Sequence, residues 1–257
     1  MACPPSSSSN CCPVEDWPIV TVLDKIHWRS TGAGPAVVVP QLNVDWTQVD
    51  LAALEARFTV VVVSPRGFGP SQRPGVYSGA GFLADVARVL DHLGVLEYAA
   101  FGYSMSGVMA ARLAVGNPRV RAVAYGGFPL TANLRAMGER ARLRHAAARA
   151  DAAAWAEVTT MYDPAAAVAF WDDVASLPRA ALVDLACPIR CWWGAEDRVL
   201  ASLTDPGELA ADLSERGIPY DVLPGLDHDA ALDRLDLVLP QLADWLVSHL
   251  ADHTDGH

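Results

Sequence analysis

Positive charge is scarce in this chain: 19 Lys and Arg stand against 30 Asp and Glu, for a net charge of −11. That balance repels polyanions, so neither a nucleic acid nor an anionic membrane is expected as a partner. Long apolar runs are missing too, none approaching the ~20 residues that span a bilayer. The opening "MACPPSSSSNCCPVEDWP" lacks a basic start and an apolar stretch, so it does not read as a secretory signal. Its Pro and Ser content predicts a disordered tail over residues 1–16. Cysteines number five, an odd count that argues against a complete disulfide framework. Cys3, Cys11 and Cys12 fall in the tail, and Cys187 and Cys191 lie near an apolar strand pattern, with no histidine at zinc-ligand spacing. No metal or cofactor is expected, Cys187 and Cys191 read as small core residues, and the expected compartment is a reducing cytoplasm.

What is present is enough apolar residue, 52% of 257, to bury a full core. "PAVVVP" (35–40) and "FTVVVVSP" (58–65) read as strands buried on both faces, as in a parallel sheet covered by helices. "GFLADVARVLDHLG" (81–94) puts Phe82, Val86, Val89 or Leu90, and Leu93 on one helical face, and Gly94 ends it. Strand patterns return at "YAAFG" (98–102), "VRAVAYGG" (120–127), "PIRCWWG" (188–194) and "PYDVLPG" (219–225), and "LADWLVSHL" (242–250) closes with a helix. Residues 130–180 differ: rich in Ala, Arg and bulky aromatics, they carry helical periods and no strand pattern. "DPAAAVAFWDDV" (163–174) offers Asp163 as N-cap and Pro164 at the first helical position. The alternation predicts an α/β fold, a doubly wound and mostly parallel sheet, with core over 17–129 and 181–257 and a helical insertion over 130–180.

Chemistry concentrates at "FGYSMSGVM" (101–109), a strand, a four-residue turn and a helix around Ser104. A serine on such a turn is pushed out of the sheet, and the helix N-terminus behind it favours developing negative charge. Small residues are needed two positions either side, and Gly102 and Ser106 supply them. A serine hydroxyl also needs a base. Of seven histidines, His228 lies on the loop after the last strand, in "LPGLDHDAAL", and Asp197 lies on the loop after the preceding one, in "CWWGAEDRVL". Ser104, Asp197 and His228 thus run in the chain order of a strand-end triad.

Across residues 18–250 the chain resembles the α/β-hydrolase superfamily, in particular its small capped members with a serine nucleophile. The resemblance is carried by "SPRGFGPSQRP" (64–74), "DVARVLDHLGV", "FGYSMSG", "PRVRAVAYGG", "CPIRCWWGAEDRV" and "GLDHD". It implies Ser104 as nucleophile, His228 as general base then acid, and Asp197 as the carboxylate that orients the imidazole. It also implies an oxyanion hole from the backbone N–H groups of Met105 and Leu42. The chain departs from the superfamily's H-G-x segment: in "VVVPQLNVDW" (37–46), Pro40 takes the His position, Gln41 the Gly position and Leu42 the donor position. Ser64 likewise stands where Asp is usual. Gln41 and Asn43 are expected to turn their side chains toward the substrate, beside Tyr103, Phe128 and a roof of Trp155, Tyr162 and Trp171. The expected substrate is a small apolar molecule with a carbonyl group. Three outcomes stay open: hydrolysis of an ester, lactone or thioester through an acyl-enzyme; acyl transfer, C–C lyase chemistry or rearrangement by the same triad; and a binder without turnover.

Overall fold

The computed structural model describes residues 21–131, 134–178 and 180–250. The tail expected to be disordered, with Cys3, Cys11 and Cys12, lies outside them. The valine-dense segments form the middle of the sheet: β3 (Ala36–Pro40) is buried along its whole length, and β4 (Thr59–Ser64) at all but its first residue. Both feed helices that cover both faces, which is why they alternate so little. Preceding them is a hairpin, β1 (Thr21–Leu23) and β2 (Ile26–Thr31), and following them come β5 (Tyr98–Tyr103), β6 (Val120–Gly126), β7 (Ile189–Gly194) and β8 (Tyr220–Leu223). The eight strands lie in the order β1-β2-β4-β3-β5-β6-β7-β8. β2 runs antiparallel to β1 and β4, and every other pairing is parallel.

The helices are α1 (Ala52–Glu55), α2 (Gly79–His92), α3 (Met105–Ala114), α4 (Met137–Ala148), α5 (Ala152–Met161), α6 (Pro164–Ser176), α7 (Arg198–Ala201), α8 (Pro206–Glu215), α9 (His228–Asp233) and α10 (Leu239–Leu250). Phe82, Val86 and Val89 of α2, most of α3, and Leu209 and Leu213 of α8 pack on one face of the sheet. Leu54 of α1 and Leu239, Leu242 and Leu246 of α10 pack on the other. The doubly wound sheet expected from the strand–helix alternation is therefore present. Caps are where the residue types place them: Ser78 Oγ accepts from Gly81 N–H, and Asp163 Oδ1 from Ala165 N–H ahead of Pro164. Gly94, at φ +68°, ends the α2 segment.

Helices α4 to α6 leave the sheet between β6 and β7, where helical periods without strands were expected. They are fastened to the loop after β4. Phe68 and Tyr162 form an isolated antiparallel bridge, with Gly69 N–H on Met161 O at 2.8 Å and Asp163 N–H on Gly67 O at 2.6 Å. That loop is itself braced by Arg66, whose backbone N–H and guanidinium meet fully buried Asp85 at 2.6–2.9 Å.

Candidate active site

Loops at the carboxyl ends of three parallel strands bring Ser104, Asp197 and His228 together. Ser104 joins β5 to α3 at φ 54° and ψ −127°, a conformation that costs a side-chain-bearing residue about 1–3 kcal/mol. Its surroundings fix it there: Ser104 N–H donates to Gly126 O at 2.8 Å, and Ser104 O accepts from Val108 N–H at 3.1 Å. The turn brings strand and helix so close that a Cβ on Gly102 would stand 2.4 Å from Ser106 O. Ser106, wholly buried, does more than fit. Its Oγ accepts from Leu42 N–H and from Trp46 Nε1, each at 3.3 Å, tying the loop after β3 to the base of α3.

Asp197 caps α7, its Oδ1 accepting from Leu200 N–H at 2.8 Å, while Oδ2 meets His228 Nδ1 at 2.8 Å. A carboxylate so thoroughly removed from water, 1% exposed along its side chain, needs such donors. His228 opens α9 behind the capping Asp227, and its Nε2 lies 3.2 Å from Ser104 Oγ. With the Nδ1 proton held by Asp197, Nε2 is left as the acceptor facing the hydroxyl. The two loops are stitched to each other by Ala195 N–H on Leu223 O and Glu196 N–H on Leu226 O, both 2.9 Å.

Tyr103 is a correction. Expected beside the substrate, it packs on the opposite face of the sheet from Met105 and Phe128, among Phe101, Trp192 and the α10 side chains. Its hydroxyl donates to His228 O at 2.8 Å and its ring lies 5.1 Å from the imidazole. It is a brace for the histidine loop, and burial pushes its phenol well above the usual range. Room for it comes from Gly127, where a Cβ would meet the ring at 2.4 Å.

Gln41 is a second correction. Its Nε2 and Ser64 Oγ stand 2.8 and 3.0 Å from where a Gly69 Cβ would be. The side chain thus faces a cavity bounded by β2 and β4 that Ser104 and His228 do not line. Asn43 is half-buried, and its Oδ1 has no hydrogen-bond partner. Phe128 stacks on Trp171 of α6 at 5.4 Å, within the same apolar cluster as Met105 and Leu42. Tyr162 is buried against Phe68, with His145 Nε2 3.4 Å from its hydroxyl. Trp155 lies on α5 under the Arg149 guanidinium, 4.7 Å from the ring centre.

Among the described residues no three His, Cys, Asp or Glu side chains gather where a metal ion could be held. Burial pushes the thiols of Cys187 and Cys191 up to about 11 and about 12, which makes both poor nucleophiles. No helix of the described residues is long and apolar enough to cross a membrane.

Residues 34–137 match the sequence model of the alpha/beta hydrolase fold family. Solved structures agree across most of the chain. A carboxylesterase from the ammonia-oxidizing thaumarchaeon Nitrososphaera gargenis superposes with a TM-score of 0.69 at 17% identity, over 91% of this chain and 100% of that one. The enol-lactonase of Burkholderia xenovorans LB400 gives 0.63 at 22% identity, over 86% and 96%. Epoxide hydrolase A of Mycobacterium thermoresistibile gives 0.64 at 18% identity, over 90% and 98%. At these identities the likeness establishes the fold.

Proposed function

Starting from a chain with the α/β-hydrolase fold, we propose that the protein is a serine hydrolase of small, apolar carboxylic esters, lactones or thioesters. The observation that carries this reading is the unbroken relay from Asp197 through His228 to Ser104, at 2.8 and 3.2 Å. Ser104 Oγ attacks the carbonyl carbon while His228 Nε2 takes its proton. Asp197 stabilises the imidazolium, and His228 returns the proton to the departing alcohol or thiol, leaving an acyl-enzyme. Water, deprotonated by His228, then releases the acid and restores Ser104.

The negative oxygen of each tetrahedral intermediate is held by Met105 N–H, in the first turn of α3 where helical N–H groups lack intrahelical acceptors, and by Leu42 N–H. In the free enzyme Leu42 donates to Ser106 Oγ at a long 3.3 Å. A developing oxyanion is about twice as strong an acceptor as a neutral hydroxyl, so the donor transfers to substrate as charge builds. Helices α4 to α6 form the cap, with Trp171 and Phe128 as its apolar contact over the Met105 side of the site, and Trp155 and Tyr162 belonging to the same roof. Epoxide opening or halide displacement is disfavoured, because a hydroxyl rather than a carboxylate occupies the nucleophile position.

The engaged Leu42 N–H also supports a second reading: the triad acylates and passes the acyl group to an acceptor other than water, or does lyase chemistry. One experiment separates the two. The protein and Ser104→Ala are mixed with p-nitrophenyl esters of increasing chain length, and nitrophenol release is followed. Sustained release by the wild type, reduced at least 10⁴-fold in the variant, is the expected result (about the loss from removing such a nucleophile). A single stoichiometric burst would favour transfer. No release, together with no labelling by a fluorophosphonate probe, would overturn the hydrolase.

A further inference from the structure

Beside β2 the structure holds a cavity of about 160 Å³, lined by His27, Arg29, Gln41, Asp45, Val62 and Ser64 among others. It lies on the α1/α10 face of the sheet. His27 and Arg29 are in register with Ser64 and Val62 across the β2–β4 pair, and Gln41 shares the face of Val37 and Val39. Its chemistry is unusual at Arg29. That residue is only 7% exposed, and among the described residues its guanidinium makes one hydrogen bond, from Nη2 to Trp46 O at 2.7 Å. Arg29 Nε and His27 Nδ1 are both buried from water, and neither has a partner among the described residues. Among the described residues no carboxylate comes within ion-pair distance of Arg29. Asp45, on the cavity wall, is turned to Thr47, whose N–H and hydroxyl donate to Oδ1 at 3.0 and 2.6 Å.

Buried arginines are ordinarily paired, because an isolated charge out of water costs several kcal/mol. A guanidinium without a counter-ion, lining a cleft that also offers an amide and a hydroxyl, is a receptor for an anion. We propose that this cavity binds a short-chain monocarboxylate, its carboxylate on Arg29 and its alkyl end against Val62 and Pro70. Size and wall chemistry set the class. The cavity is small and its walls are mostly apolar, which suits a short alkyl acid better than phosphate. A side chain at Gly69 would meet Gln41 Nε2 at 2.8 Å and displace that wall. The occupant touches Gln41, the residue before the Leu42 donor. Binding itself does not depend on the hydrolytic reading. The chain's net charge and Asp45 both oppose an anion, so the affinity is set in the millimolar range, about 1–10 mM.

Isothermal titration with sodium propionate, against sodium chloride at matched ionic strength, tests this on the full chain. The wild type and the fluorophosphonate-labelled protein are expected to bind one equivalent alike, and Arg29→Met at least tenfold more weakly. Equal binding by Arg29→Met overturns the proposal, as does binding abolished by the label, which would put propionate at Ser104. Should the protein resist labelling, Ser104→Trp takes that arm, with the same two readings. Tighter binding of inorganic phosphate than of propionate overturns the ligand class. The double variant Glu15→Gln/Asp16→Asn is expected to bind as the wild type does; markedly tighter binding would show that a carboxylate of the chain itself is the occupant, and overturns a free ligand. Arg29→Met is expected to fold, since replacing an unpaired buried charge by an apolar side chain is commonly neutral or stabilising. If it does not, Ser64→Val, which crowds the same wall, is expected to show the same weakened binding.

Discussion

The strand ends that carry Ser104, Asp197 and His228 and the helices between β6 and β7 are held in place by different forces. At the strand ends, β5 is buried at every residue and α3 at nine of ten. The side chains of Asp197 and His228 are each fixed by a further hydrogen bond or packed ring, and Ser104 by the hydrogen bonds of its backbone. In the intervening helices, α5 buries no residue at all. Helix α6 instead joins the main apolar cluster through Phe170, Trp171 and Val174 and adds the Tyr77 hydroxyl on Asp163 at 2.6 Å and the Arg112–Asp173 pair at 2.8 Å, so that α5 is the loosely held part, attached by the bridge at Phe68 and Tyr162 and by Arg73 on the carbonyls of Thr159 and Thr160. Apolar area removed from water gives a rigid body; a few polar contacts give an adjustable one. On the proposed function, reaction geometry would rest on the first and substrate selection on α5.

The sharpest way to break the rigid side is Gly102→Ala. The new Cβ meets backbone, Ser106 O at 2.4 Å and Gly107 N at 2.7 Å, so no side-chain rotation relieves it. Overpacking of this kind costs about 3 kcal/mol or more. A melting temperature lower by about 6–12 °C is expected by calorimetry, with nitrophenyl ester turnover falling at least in proportion. An unchanged melting temperature would show that the turn can open without cost. Tyr103→Phe is gentler. It removes only the bond to His228 O, worth about 1 kcal/mol, so kcat is expected to fall roughly three- to tenfold with KM unchanged, and the melting temperature by about 2–4 °C. A rise in KM with kcat preserved would return Tyr103 to the substrate pocket.

Both sides of this comparison were partly legible in the sequence, and the misses share one cause. The valine runs, the order Ser104…Asp197…His228 and the helix-rich stretch before β7 all follow from local pattern. Tyr103 and Gln41 were assigned to the substrate by their nearness in sequence to Ser104 and Leu42. Strand alternation says otherwise: Tyr103 follows Ala99 and Phe101, and Gln41 follows Val37 and Val39, all on the face that α1 and α10 cover. A count of two along each strand would have placed them. No pattern in the sequence joins Ser106 to Leu42 and Trp46, because that contact spans 60 and 64 residues and needs the folded loops. The β1–β2 hairpin and its Arg29 were equally out of reach of local reading.

On the adjustable side, Arg73→Ala removes the guanidinium from the last turn of α5 without touching the core. The expected result is a melting temperature within about 1 °C of wild type, as for most changes outside buried contacts. Limited proteolysis near residues 159–163 is expected to be two- to fivefold faster, and KM for longer-chain esters to shift by a similar factor with kcat preserved. Loss of kcat instead would mean that these helices also hold the reacting groups.

The smallest effect is a pH dependence confined to the same helices. His145 of α4 is buried, and burial first, then the neighbouring Arg144 and Arg149, hold its imidazole below the ordinary value of 6.5, with Asp163 opposing them. The unfolded chain therefore takes up a proton at higher pH than the folded one. The stabilising contribution is complete above pH 6.5 and is lost as pH falls through the lower folded value. Amide exchange in α4 is expected to quicken between pH 7.5 and 5, after correction for intrinsic rates, while exchange in β5 does not change. His145→Leu is expected to flatten the α4 response and leave that of β5 as it was. If β5 follows α4, the two regions unfold as one cooperative unit, and the separation between a rigid site and an adjustable cover fails.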